Sequence, residues 1–381
     1  MIQPSRNHKI EKSIYTLLLD MNSIMKKCIV DKRMNQKGEE YGMVFLTLGI
    51  VGNILLKKDF NFCVACYDGY NSGVLRYNIY KEYKANRDKH YELCSGVSDY
   101  DKGINEYVKK VLNYSKSNKK EVKRVETDDE SFQRQRYIIQ NIFENLFIRQ
   151  FMYDEVEGDD LIANYIKNKK SNEKVVIVSE DRDLTQLISD DVCQYIPSLK
   201  KFISVGNSVK ELGITHENIL LKKILCGDAS DNIKGIKGVG EQTLIKLFPE
   251  IKKEKTSIDS ILERSKILLE ERKENKKKPL KSLENIINRV TDGSQGKDIF
   301  EINKKIIDLS EPLLTEEAAT CMKNEMYLPL DVEGRSIDNI YEIIYENEMN
   351  DMLNSDKFGN IFGCYERIIK MEKEYSSKKN N

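Results

Sequence analysis

The sequence predicts an α/β fold, with a mostly parallel central sheet flanked by helices and a helical C-terminal region after it. Three observations carry this. Residues 14–20 (IYTLLLD), 60–68 (FNFCVACYD) and 175–183 (VVIVSEDRD) are short β-branched or aromatic runs, the kind that forms strands buried on both faces. Helical patterns lie between and beside them at about 41–57, 133–149 and 159–169, and such alternation builds parallel sheets. From about residue 206 the chain reads as mainly helical. The expected division is an α/β unit over 1–205 and a helical unit over 206–381.

Each apolar run ends in an acid, and in open parallel sheets ligands bind beyond the carboxyl ends of the strands. Composition narrows the chemistry further. The 381 residues carry 62 Lys+Arg against 62 Asp+Glu, which argues against a uniformly basic coat or an acidic disordered chain. No run approaches the roughly 18 apolar residues of a membrane helix, and MIQPSRNHKIEKS has no signal-peptide core. No membrane association is expected, and the scattered eight cysteines read as reduced thiols of a cytoplasmic protein. Cys63 and Cys66 fit C-x-x-C, but inside an apolar strand they read as packing residues. The three histidines are far apart, so a His-based zinc site or a Ser-His-Asp triad is not expected. Carboxylates and lysines are left to do the work.

The acids fall into four groups. Asp20 and Asp68 end strands; Glu157, Asp159 and Asp160 open a helix in VEGDDLIANYI; Asp181 and Asp183 follow a strand in SEDRDL; Asp228 and Asp231 lie in CGDASDN. Singly, such acids cap helices or close turns. As a set on a parallel sheet they can converge at one edge. Two unit charges about 4 Å apart repel by about 4 kcal/mol at an effective dielectric of 20, so a convergent cluster needs cations. All-oxygen donors suit Mg²⁺ or Mn²⁺, and a pair of such ions is the arrangement for in-line phosphodiester hydrolysis.

Two basic segments could serve a nucleic acid. In RYNIYKEYKANRDKHYEL, Tyr83, Lys84 and Arg87 belong to a mixed run whose aromatics can stack bases while its cations hold phosphates; the same run also suits a solvated amphipathic helix. Lys223, five residues before Asp228, is a further candidate to neutralise phosphate, though a lone helical Lys is commonly surface. In IKGIKGVGEQTLIKLFP, Gly235, Gly238 and Gly240 precede a helix at about 241–248 stopped by Pro249. This matches the hairpin of helix–hairpin–helix proteins, which grip a duplex backbone without reading sequence. Residues 252–281 are Lys-rich and read as an exposed helix and loop, and the tail after about 370 is expected to fray.

Together these residues resemble the 5′-nuclease superfamily of flap endonucleases and 5′→3′ exonucleases. The likeness rests on DMNSI from Asp20, YDGYNSGVLR, YKANRD, VEGDDLIA, SEDRDLTQL and GDASDNIKGIKGVGEQT, in that order across about residues 14–249. CQYIPSLKKFISV and INKKIIDLSEPLLTEEA are most similar to the T-even phage ribonuclease H branch. The resemblance implies a PIN-like core, a helical arch at about 76–135 and a helix–hairpin–helix (helix–three-turn–helix) motif at about 218–249. It implies two Mg²⁺, replaceable by Mn²⁺. Asp20, Asp68, Glu157 and Asp159 would hold the first, with Asp160 acting through water; Asp181 would lie between; Asp183, Asp228 and Asp231 would complete the second site. Lys84 and Arg87 would reach the scissile phosphate, Tyr83 would stack on the adjacent nucleotide, and Lys223 would assist from the other side. Gly235, Lys237, Gly238, Gly240, Gln242 and Thr243 would bind duplex DNA, with a monovalent cation such as K⁺.

The implied activity is 5′→3′ exonuclease and flap endonuclease action on DNA and RNA–DNA duplexes, with removal of RNA primers during phage replication in the host cytoplasm. A monomer is implied, with a single-stranded-DNA-binding or clamp protein as a candidate partner. The chain departs from the pattern in a long polar segment at about 92–135 and in lacking a clamp-binding tail motif. Two rival readings are a catalytically silent branched-DNA binder and a PIN-like RNA endonuclease of the toxin type; the glycine hairpin argues against the second.

Overall fold

A computed structural model describes residues 13–86, 127–353 and 362–379. Its elements, in chain order, are β1 (Ile14–Asp20), α1 (Met21–Cys28), α2 (Gly42–Leu55), β2 (Phe62–Cys66), α3 (Val74–Ile79), α4 (Asp128–Asn145), β3 (Arg149–Phe151), α5 (Gly158–Asn168), β4 (Glu173–Val178), β5 (Val192–Ile196) and β6 (Lys201–Ile203). There follow α6 (Ser208–Leu212), α7 (Ile219–Cys226), β7 (Gly227–Asp228), β8 (Ile233–Lys234), α8 (Glu241–Leu247), α9 (Ile258–Glu274), α10 (Lys281–Ile287), α11 (Ile299–Ile307), α12 (Glu316–Glu325), α13 (Ile337–Glu346) and α14 (Glu366–Lys379).

The six-stranded sheet runs in the order β3-β2-β1-β4-β5-β6. All neighbours are parallel except β5 and β6, which pair antiparallel with Tyr195 opposite Phe202. The three predicted strand runs are β1, β2 and β4. Their side chains alternate: Leu17, Leu19, Cys63, Ala65, Val176 and Val178 enter one core, while Leu18, Val64, Cys66, Val175 and Ile177 enter another. Burial on both faces is why the runs read as continuously apolar. Cys63 and Cys66 are fully buried packing residues, as expected, and burial pushes both thiols up.

The cores divide the chain differently from a boundary at residue 205. A helical core does gather Leu212, Ile224, Leu244, Phe248, Ile261 and Ile286. Beyond residue 309 the chain returns to the sheet. Ala318, Met322 and Met326 of the α12 region join the face that holds α5, and Ile340, Ile344, Tyr365 and Ile368 join the face that holds α2 and α4. The expectation of a frayed tail after 370 is corrected at the same place. In α14, Glu372 is fully buried and its carboxylate takes both arms of Arg149 from β3, at 2.6 and 2.7 Å. The tail looked frayed because its sequence is polar, yet its polar groups have buried partners; Ser376 also donates to the Leu330 carbonyl.

Candidate active site

Because β1, β2 and β4 are parallel, their carboxyl ends open on one edge. Asp20 is the last residue of β1, and Asp68 and Asp181 lie just past β2 and β4. Asp20 caps α1 through the Ser23 amide (3.0 Å) and accepts from the Ser179 hydroxyl (2.5 Å). Asp68 accepts from the Gly158 amide at 2.7 Å, which fixes the start of α5 beside it. Asp181 begins a short 3-10 turn and accepts from the Asp183 amide at 2.8 Å. Asp159 projects from the first turn of α5.

Electrostatics separates the acids into two kinds. Asp20, Asp68, Asp159 and Asp181 have no cationic side chain paired with them among the described residues. Burial first, then neighbouring acids, pushes Asp159 well above the carboxylate range and Asp20 up to about 7. Glu157, Asp160, Asp183 and Asp228 are held by cations. Lys223 of α7 bridges Asp228 (2.5 Å) and Asp183. Burial opposes ionisation of Asp228, but the ammonium and the Ser230 contacts hold it down to about 2. Asp183 is nonetheless pushed up to about 7, by burial and by Asp181. Lys84 meets Glu157 at 2.5 Å, and its backbone amide donates to the Asp231 carbonyl at 2.8 Å. Asn232 reaches back to the Glu82 carbonyl at 2.8 Å, so residues 80–86 are stitched to the loop between β7 and β8.

Among the described residues, no group of three or more such side chains is set to hold an ion as it stands. Lys84 and Lys223 supply the neutralising charge instead. The donor chemistry still fits a hard divalent cation. It is all oxygen, partly buried and self-repelling, and four of its carboxylates lack a paired cation. Asp20, Asp68, Asp159 and Asp181 would be the first to hold such an ion. The cavity between Arg76, Glu157, Asp159, Asp183 and Asp228 is only about 30 Å³, room for about one water, so a substrate would lie across the edge.

Two predicted residues are placed otherwise, and a third is not among those described. Asp160 is fully buried; Arg76 grips it, one contact being 3.0 Å, and the Leu313 amide donates to it at 2.9 Å. Both its oxygens are engaged, so it is an internal anchor. Tyr83 is 2% exposed, packed with Ile233, Ile306 and Ile307, and its hydroxyl donates to Glu157 at 3.0 Å. Its ring is closed to stacking here because it fills the gap under residues 80–86. Arg87 lies outside the described residues, as does most of the segment expected to form an arch.

Sequence reading missed Arg76. It bridges Asp160 and Glu157 (3.0 Å) while its Nε donates to the Ile306 carbonyl at 2.8 Å, tying α3, α5 and α11 together. The available signal was an arginine in the otherwise uncharged VLRYNI. At the glycine hairpin, Gly235 faces Cys226 so closely that a Cβ would fall 2.2 Å from its carbonyl carbon. This glycine therefore serves the β7–β8 crossing. Gly238, at φ +77°, and Gly240 open to free space. Lys237, Gly238, Gly240 and Gln242 are exposed and Thr243 half-buried, around the start of α8.

A family model described as the 5′-3′ exonuclease, N-terminal resolvase-like domain, matches residues 15–216. DNA polymerase I of Bacillus subtilis (strain 168) is 34% identical over 131 residues, 32% of this chain and 15% of that protein. A 5′-3′ exonuclease of Mycoplasmopsis pulmonis (strain UAB CTIP) is 32% identical over 126 residues, 32% of this chain and 42% of that protein. The matched region spans less than half the length of these relatives. Among solved structures, T5 5′-exonuclease with bound zinc aligns at TM-score 0.53 and 14% identity, covering 87% of this chain and 98% of that one. A bacteriophage T5 flap endonuclease in a pseudo-enzyme–product complex with DNA and metal ions aligns at TM-score 0.51 and 16% identity, covering 88% and 99%. At such identity these likenesses show the fold.

Proposed function

The chain belongs to the 5′-3′ exonuclease family, and from that premise we propose that it is a metal-dependent 5′-nuclease that hydrolyses phosphodiesters at 5′ ends or flaps of duplex substrates. The observation that carries the reading is the edge of the sheet, where Asp20, Asp68, Asp159 and Asp181 have no paired cation among the described residues, while Lys84 and Lys223 already neutralise the neighbouring Glu157, Asp183 and Asp228. When bound there, a divalent ion supplies a lower pKa for an attacking water and a counter-charge for the leaving oxygen. The chain's own part is positioning. Asp20 is aimed by Ser23 and Ser179, Asp68 by the Gly158 amide, and Asp181 by the backbone of its own turn. Glu157 is held by the cations Arg76 and Lys84 and by the Tyr83 hydroxyl, which together overcome its burial to keep it ionised. Among the described residues, Lys84 and Lys223 are the lysines paired with acids of this edge, and both exchange carboxylates for phosphate oxygens when substrate arrives.

The finer assignments are two Mg²⁺, with Asp183, Asp228 and Asp231 completing the second site, and duplex DNA held by the exposed hairpin residues 237–243, with K⁺ as the monovalent ion there. RNA–DNA duplexes are included among the substrates, primer removal in replication is the task, and a cytoplasmic monomer is the working state. The products are a 5′-phosphate and a 3′-hydroxyl. The test is cleavage of a labelled 5′-flap with and without chelator. Because losing even the partner of a metal ligand costs about 10–100-fold, Asp181→Asn and Asp228→Asn should each lose at least about a hundredfold. Full Mg²⁺-dependent cleavage by both would overturn the site; no cleavage by the parent chain, with flap binding retained, would favour a silent branched-DNA binder.

A further inference from the structure

The Lys-rich stretch at the α9–α10 turn has no part in the edge chemistry. Residues 272–281 (RKENKKKPLK) hold six basic residues and one acid in a chain whose charges cancel overall. A helix C-terminus favours cations, which accounts for Arg272 and Lys273 in the last turn of α9. It does not account for Lys276, Lys277, Lys278 and Lys281, which lie beyond the helix.

The turn is well built. The Lys277 amide donates to the Arg272 carbonyl (2.8 Å), the Lys276 amide to the Lys273 carbonyl (3.0 Å), and the Arg272 side chain to the Lys278 carbonyl (2.9 Å). The last fully buried residue of α9 is Ser265, and residues 273–279 are all exposed. None of Lys273, Lys276, Lys277, Lys278 and Lys281 has an ion-pair partner among the described residues. A helical hairpin thus carries unpaired lysines away from the core on a defined frame.

Its other end abuts the glycine hairpin. Asn285 of α10 donates to the Lys237 carbonyl at 2.8 Å, the Lys237 amide donates to the Val290 carbonyl at 2.8 Å, and Ile236 bridges Thr291. Lys281 is four residues before Asn285, about 6 Å at 1.5 Å per residue. Duplex DNA presents one charge per about 1.7 Å of axis, so a surface leaving the hairpin by such distances meets further phosphates of the same arm.

We propose that the α9–α10 turn is a second phosphate-binding surface, which extends the grip of the glycine hairpin along one duplex arm of the substrate. It rests on the reading of that hairpin as a duplex clamp. The lysines read no sequence; they lengthen the footprint and raise its salt dependence.

The experiment measures binding of a 5′-flap substrate against salt, with the duplex arm lengthened in steps. It compares the parent chain, the triple variant Lys273→Gln, Lys277→Gln, Lys278→Gln, and the same positions changed to Arg. Each lost phosphate contact removes about 0.9 from the slope of log K against log salt, so the Gln variant should be shallower by roughly 2–3. It should also stop gaining affinity at a shorter arm than the parent, while the Arg variant keeps the parent slope. Equal slopes and equal arm dependence for Gln and parent would overturn the proposal and leave the clamp standing. A parent chain with no salt-dependent duplex binding would overturn the clamp itself.

Discussion

Glu157 and Asp160 are both buried, and both lean on the guanidinium of Arg76. Removing one member of a buried charge network leaves the others desolvated and uncompensated, which costs about 3–5 kcal/mol. Arg76→Met should lower unfolding stability in urea by about that much; a loss under about 1 kcal/mol would show that Lys84 and the Leu313 amide suffice. Arg76→Lys should recover little, since an ammonium cannot span two carboxylates as a planar fork does. This network explains what could be read in the acids and what could not. Their number and order were legible in VEGDD and SEDRD. That Asp159 and Asp160 part company was not, although consecutive helical residues diverge by about 100°. Deciding which one faces inward requires Arg76, which is 84 residues away in sequence.

The hairpin of β7 and β8 shows how one amino acid can do two jobs within a single element. Gly235 permits a backbone crossing, whereas Gly238 supplies a left-handed turn in open space. Gly235→Ala should therefore cost about 1–3 kcal/mol through overpacking and distort the hairpin, weakening flap binding. Gly238→Ala should cost about 1–2 kcal/mol from its positive φ alone. Thermal melting with flap titration checks both, and equal damage from the two would dissolve the distinction. The G-x-x-G-x-G spacing announced a hairpin, but the division of labour depends on Cys226, across the turn. Helix ends were less legible than strands for a similar reason. The start of α4 precedes the expected residue 133 because Thr127 and Glu130 form a capping box, and its polar first turn gives no apolar period to read.

Across the whole molecule, zero net charge conceals separate fields, with acids at the sheet edge and lysines at its rim and on the α9–α10 turn. Asp20 and Asp183 are pushed up to about 7 by burial and neighbouring acids. A folded pKa above the unfolded value of about 4 gives stability that is complete below about pH 4 and lost as pH rises through about 7. The metal-free chain should thus melt at lower temperature at pH 8 than at pH 5. A divalent ion should raise the melting temperature most at the upper end, where the acids are ionised. A flat metal-free profile would count against self-repulsion at the edge. The parallel sheet was legible because burial on both faces leaves a run of apolar residues. The return of the chain after residue 309 was not, because its partners lie hundreds of residues earlier. That return also sets a timetable. Ile340, Ile344 and Tyr365 cover the face that β1 and β2 create. At 5–20 residues per second, a ribosome needs roughly 15–55 s to go from one to the other. Throughout that interval the nascent sheet stands with part of one face uncovered, within reach of chaperones and of neighbouring chains.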